Sequence, residues 1–202
     1  MSLRHAILGV LTARPMTGYE LSQFLASSTG WLWSATHSQI YPALAKLREQ
    51  GLIEGIEGVR GESLRKVEYR ITEAGERELV TWLSSWHDLP DERDPFLLQA
   101  VFLDQVPPAA AIACLRKYVE VQEADAVRAE QHAALLAQGE TPLIRERFTR
   151  SPAETHEYAM LVKSAVFRGQ ASVARARAAW AGELADLIEA RIGAEPIPAE
   201  RG

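Results

Sequence analysis

The stretch from Thr36 to Ile53 constrains this chain more than any other. Ile40, Leu44 and Leu47 recur at helical spacing and make one apolar stripe. Ser38, Tyr41, Ala45 and Arg48 lie off that stripe, so a second face is left for another surface. Gly51 supplies the stop, because glycine tolerates the left-handed geometry that follows a helix end. Leu52 and Ile53 then open an extended segment. A short helix with one buried face, one mixed polar face and a strand directly behind it suits the DNA major groove, which is wide enough to admit it. A solvated surface helix in some other small domain is the plain alternative.

The preceding residues point the same way. Leu3 to Ala13 predicts a first helix, closed by Arg14-Pro15. Thr17-Gly18-Tyr19-Glu20 has the form of a capping box and starts a second helix buried through Leu21, Phe24 and Leu25. Thr36 and Gln39 read as another such box. Pro42 lacks the amide proton a helix interior needs, which favours a regular third helix starting near Gln39.

Two strands follow, Leu52 to Glu57 and Arg65 to Thr72. The second alternates, with Val67, Tyr69 and Ile71 inward. Residues 58–64 form a glycine-containing hairpin tip, and Thr72-Glu73-Ala74-Gly75 opens a fourth helix to about Trp86.

The segment 89–93 is the expected boundary between two parts. Asp94-Pro95 caps a compact helix through Leu103, and Pro107-Pro108 opens a long one to about Gln138. Along the latter, Leu115, Val119, Gln122, Ala126, Ala129, Ala133 and Leu136 make a heptad-like seam, so rich in alanine that its partner backbone must come close. Ser151-Pro152 opens the last helix, to about Ile192. Its apolar positions Tyr158, Leu161, Val162, Ala165, Gly169, Val173, Ala176, Trp180, Leu184 and Leu187 drift at close to helical spacing. The expected organisation is a winged helix-turn-helix DNA-binding domain over 1–89, a helical dimerisation domain over 90–192, and a disordered tail over 193–202. The fold class is mainly α with a small β-hairpin.

Composition excludes several functions. There is no Gly-x-Ser-x-Gly, no Walker-type loop and no glycine-rich nucleotide fingerprint, so neither an enzyme nor a cofactor is expected. The five histidines are scattered, none at ligand spacing to Cys114 or to another histidine, so no metal is expected. The single cysteine and the lack of asparagine suit a reducing cytoplasm, and no apolar run is long enough for a bilayer. Residues 4–13 superficially resemble a signal peptide, but the run is short and patterned as an amphipathic helix. The net charge of -5 disfavours a general polyanion binder, so the placement of Lys and Arg matters.

Helix, capped helix, third helix and hairpin is the order of a winged helix-turn-helix, and four stretches narrow it further. They are Gly18-Tyr19-Glu20-Leu21, Gln39-Ile40-Tyr41-Pro42-Ala43-Leu44, Leu47-Arg48-Glu49-Gln50-Gly51-Leu52-Ile53 and Tyr69-Arg70-Ile71-Thr72-Glu73-Ala74-Gly75. With these in order and at compatible spacing, residues 3–88 resemble the PadR family of bacterial transcriptional regulators. Beyond residue 90 the likeness rests on length and helical pattern. The resemblance implies a homodimeric repressor on an inverted-repeat DNA operator, held together by its C-terminal helices. The long apolar-seamed helices give a separate reason to expect a dimer; an intramolecular hairpin is the alternative.

Candidate DNA contacts follow from chemistry. Ser38, Gln39 and Tyr41 begin the third helix, Lys46 and Arg48 lie toward its end, and Thr17 and Tyr19 begin the second. Arg60, Arg65 and Lys66 belong to the wing. Gln39 has an alternative role as capping partner, and Tyr41 an alternative packing against Tyr19. The five tryptophans are expected mainly in the core and at helix junctions. Their second reading is a pocket for a small aromatic effector, as in several members of the family, with Trp33, Trp82 and Phe96 as candidate lining. Glu54, Glu57, Glu62 and Glu68 oppose DNA binding unless they point away or are neutralised. The rival function is a winged helix that binds protein instead of DNA.

Overall fold

The computed structural model describes residues 3–27, 37–60, 64–88 and 94–192, and their side chains except at 26, 27, 37, 58–60 and 64–66. The segments 89–93 and 193–202, expected as boundary and tail, lie outside the described residues. The chain forms two compact units, Met1–Asp91 with Pro142–Ser151, and Glu92–Thr141 with Pro152–Gly202.

In the first unit, α1 (Leu3–Leu11), β1 (Met16–Thr17), α2 (Gly18–Ser27), α3 (His37–Glu49), β2 (Ile53–Arg60), β3 (Leu64–Ile71) and α4 (Glu73–Leu83) follow in order. Ile7 and Leu8 of α1, Leu21 and Leu25 of α2, and Ile40, Leu44 and Leu47 of α3 form a core almost wholly closed to water. The expected apolar stripe of α3 is thus the buried one.

The start of α3 differs from expectation. It begins at His37, so Pro42 lies inside the helix. An interior proline costs about 3 kcal/mol by forfeiting one ladder hydrogen bond. Burying Ile40, Leu44 and Leu47 returns about 1.5–3 kcal/mol each, so packing outweighs the local penalty. At the other end Gly51 has φ 70°. Its N–H donates to the Arg48 carbonyl at 3.0 Å, and the Leu52 N–H to that of Leu47 at 3.0 Å. This pair of bonds is a Schellman closure.

The sheet has three antiparallel strands in the order β1-β3-β2. Met16 pairs with Tyr69 and Ile53 with Ile71. The two-residue β1 carries no alternation by which a sequence would betray it. β2 extends three residues further than expected, to Arg60, which shortens the tip. Tyr69 and Ile71 pack against the core, as their alternation requires. Thr72 caps α4, its hydroxyl accepting from the Gly75 N–H at 3.2 Å and donating to the Gly51 carbonyl at 2.7 Å. The end of α3 and the start of α4 are therefore tied through one side chain. α4 stops at Leu83, short of the expected Trp86.

α7 (Pro142–Phe148) also belongs to this first unit, although the sequence places it with the C-terminal helices. Ile144 is buried, and Leu143 packs against the core.

The second unit holds α5 (Pro95–Val101), α6 (Pro108–Ala137) and α8 (His156–Ile192). Asp94 caps α5 by accepting from the Phe96 and Leu97 N–H groups at 2.9 and 3.3 Å. α6 and α8 pack antiparallel. Leu115 meets Ala181 and Ala185, while Ala126 and Ala129 meet Ala171 and Ala174. The alanine seam read on α6 is therefore closed by a helix of the same chain. Arg116 to Asp186 (2.5 Å) and Arg175 to Glu130 (2.6 Å) flank the seam.

On α8 the inward residues are Ser164, Phe167, Ala171, Ala174, Ala178, Ala181 and Ala185. Of the apolar positions read along α8, Tyr158, Leu161, Val162, Val173 and Leu187 are exposed, and Trp180 is at the threshold of exposure. Close approach of two helices needs small side chains, so size here overrides hydrophobicity. Among the described residues no helix is long and apolar enough to cross a membrane.

Candidate nucleic-acid interface

α2 and α3 meet at a point fixed by local chemistry. Thr17 donates to Glu20 Oε2 from its N–H at 2.8 Å and from its hydroxyl at 2.7 Å, and accepts from the Glu20 N–H at 3.2 Å. The capping box is thus formed in full. The backbone N–H of Thr17 is the main reason that the Glu20 carboxyl titrates at about 2 rather than near 4.5, with help from the Thr17 hydroxyl and Arg14 against the opposing effect of burial. Gly18 then lets the chain pass close to α3, since a Cβ there would lie 2.8 Å from Tyr41 Cε1.

Thr17, expected as a phosphate contact, is 8% exposed and its hydroxyl donates to Glu20, as a capping residue does. Tyr19, by contrast, is 57% exposed, and its hydroxyl accepts from Gln23 Nε2 at 2.7 Å.

On α3, Tyr41 is 50% exposed, and Ser38, Gln39, Ala45, Lys46 and Arg48 are exposed as well. The expected polar face is therefore exposed to solvent, with its opposite side fully buried. The β2–β3 hairpin carries the expected basic positions toward its tip, where Arg60 pairs with Leu64, Val59 with Arg65 and Gly58 with Lys66. The side chains of Arg60, Arg65 and Lys66 lie outside the described residues. Of the opposing acids, Glu54 is neutralised across the strands by Arg70, whose Nε donates to it at 2.7 Å.

Of the residues expected to line an effector pocket, two are described, each within its own unit. Trp33 lies outside the described residues. Trp82 packs against the core of the first unit, stacked with His5 (centroids 4.5 Å apart) and His87 (5.1 Å). Phe96 belongs to the second unit, stacked on Tyr118 at 3.7 Å and edge-on to Trp180 at 6.4 Å. Sequence reasoning missed Tyr118 and His5, because the stacking partners come from distant segments with no shared spacing.

A capped helix, a recognition helix with one bare polar face and a basic-tipped hairpin behind it define the winged helix-turn-helix class of DNA-binding domain. Residues 7–81 match the model of the transcriptional regulator PadR-like family, and this part of the chain is a PadR-like domain. Over 102 residues the chain is 38% identical to the negative transcriptional regulator PadR of Bacillus subtilis (strain 168). That overlap takes in 50% of this chain and 56% of the relative, little more than half its length. Among solved structures, the chain resembles Bacillus subtilis PadR in complex with operator DNA, with a TM-score of 0.70, 26% identity, and coverage of 92% of this chain and 98% of that one. It also shares the fold of Bacillus subtilis PadR in complex with p-coumaric acid, with a TM-score of 0.66, 24% identity, and coverage of 93% and 98%.

Proposed function

We propose that this chain is a sequence-specific DNA-binding transcriptional repressor, acting in the cytoplasm as a homodimer on an inverted-repeat operator. The observation that carries this reading is the bare face of α3, where Ser38, Gln39, Tyr41 and Lys46 are exposed above a buried Ile40, Leu44 and Leu47. Those four side chains reach base edges and flanking phosphates of one major groove. Tyr19 contacts phosphate from the start of α2, and Arg60, Arg65 and Lys66 on the wing engage the adjacent backbone or minor groove.

The dimer reading rests on α8. Its inner face is used within the chain, yet Leu161, Val162, Val173 and Leu187 remain exposed along its outer side. A second copy covers this stripe, and a two-fold axis then sets the half-sites roughly one helical turn, ~34 Å, apart. A small aromatic effector fits the family likeness, and the ring cluster of Phe96, Tyr118 and Trp180 is a candidate place for it in this chain.

Selection of bound sequences from a random DNA pool tests the whole reading. It yields a palindromic motif, and affinity for that motif falls with salt at a log–log slope near -5 if ~6 phosphates are neutralised. No enrichment, or a flat salt response, overturns DNA binding and leaves the protein-interaction module.

A further inference from the structure

The chain leaves the second unit after Thr141, forms α7 within the first, and returns at Pro152 to enter α8. α7 is thus joined at both ends to the long helices while packed with the DNA-binding domain. Beside the packing of Leu143 and Ile144, α7 makes a polar contact with this domain through Glu146. Glu146 Oε2 is shut off from water without a hydrogen bond, and the Arg14 guanidinium, with Nε 2.6 Å away, offsets its charge.

The same guanidinium also faces the other way. Arg14 Nη1 donates to Glu20 Oε1 at 3.2 Å and to the Pro15 carbonyl at 3.1 Å. Glu20 is the residue that closes the cap of α2 through Thr17, and the turn it closes is the one where Gly18 abuts the ring of Tyr41. A continuous chain of contacts therefore runs from Glu146 on α7 through Arg14 and Glu20 to the recognition helix. Only a forked, planar cation can hold two carboxylates at separate nitrogens in this way; a lysine offers one point charge.

We propose that Arg14 is a positioning residue for DNA binding, through which α7 holds the first turn of α2 against Tyr41. This rests on the DNA-binding reading above. A displacement of α7, imposed through either long helix, moves Glu146 and loosens or shifts the cap. The long helices thereby gain a route to the DNA-binding surface.

The test uses the full chain with Arg14→Lys, Glu146→Gln and the double variant, each compared with the unaltered protein. Amide hydrogen exchange is followed over α2, together with affinity for DNA selected by the unaltered protein. Both single variants speed exchange of the Thr17 and Glu20 amides several-fold, leave the rest of the first unit unchanged and weaken DNA binding about 3–10-fold. The double variant adds little to either single one, because both break the same chain of contacts. Unchanged exchange at Thr17 and Glu20 in Glu146→Gln, or faster exchange spread evenly through the first unit, overturns the proposal. So do effects that multiply in the double variant. The exchange result stands without DNA, so a protein that binds no DNA refutes the functional reading and leaves this one decided by exchange.

Discussion

Gly75 is the residue where one added methyl group is felt most. Its Cβ would lie 2.1 Å from the Leu52 carbonyl oxygen, a backbone atom that cannot swing aside. Gly75→Ala is expected to cost on the order of 2–4 kcal/mol, read as a lowered denaturant midpoint by circular dichroism; an unchanged midpoint contradicts the close approach. Glu20 supplies a second test at this scale. Its carboxyl titrates at about 2 when folded, below the usual 4.5. Its stabilisation is therefore present above pH ~4.5 and lost as pH falls from there toward ~2. Glu20→Gln should lose about 1–2 kcal/mol at neutral pH, the full linkage value being discounted for partial exposure. It should also flatten this acid limb in a pH–stability curve. Both sites were partly legible in the sequence. The capping box spans four consecutive residues and announces itself, and Thr72 to Gly75 are visible as a motif. What was not legible is why Gly75 must be glycine, since its neighbour Leu52 lies a whole hairpin away.

At the scale of elements, α6 and α8 form a pair whose small residues face each other. His132 of α6 lies edge-on to Phe167 of α8, with ring centroids 4.5 Å apart, and burial pushes its pKa below the usual 6.5. A histidine held neutral on folding binds protons more readily when unfolded, so the stability it contributes falls as pH drops through ~6.5. Thermal unfolding between pH 7 and 5 should show this slope, and His132→Gln should remove it; an identical slope in the variant contradicts the packing. The sequence exposed the α6 seam because its spacing of fours and threes survives the choice of small side chains. On α8 the periodic bulky residues mark the outer side, whereas tight packing of two backbones selects Ala171, Ala174 and Ala178 for the inner one. The start of α3 departs from expectation for a related reason. Local propensity at Pro42 favours a later start, and the tertiary burial of Ile40 and Leu44 overrules it.

For the whole molecule, the proposed assembly turns on the outer side of α8. Val173 is exposed near the middle of that stripe. Val173→Glu places a charge where a second copy is expected, which should convert a dimer to a folded monomer in analytical ultracentrifugation at micromolar concentration. A variant that stays dimeric at unchanged affinity contradicts the α8 interface. Assembly was the least legible level in the sequence, because one apolar stripe and one alanine seam fit either a hairpin or a dimer until one of them is seen to be occupied. The central claim remains the bare face of α3. Its most direct test is the affinity of Tyr41→Ala combined with Lys46→Ala for DNA selected by the unaltered protein. Each lost contact should weaken binding by about 1–3 kcal/mol while circular dichroism stays that of the folded protein. Full affinity in the double variant would contradict the assignment of this face to DNA.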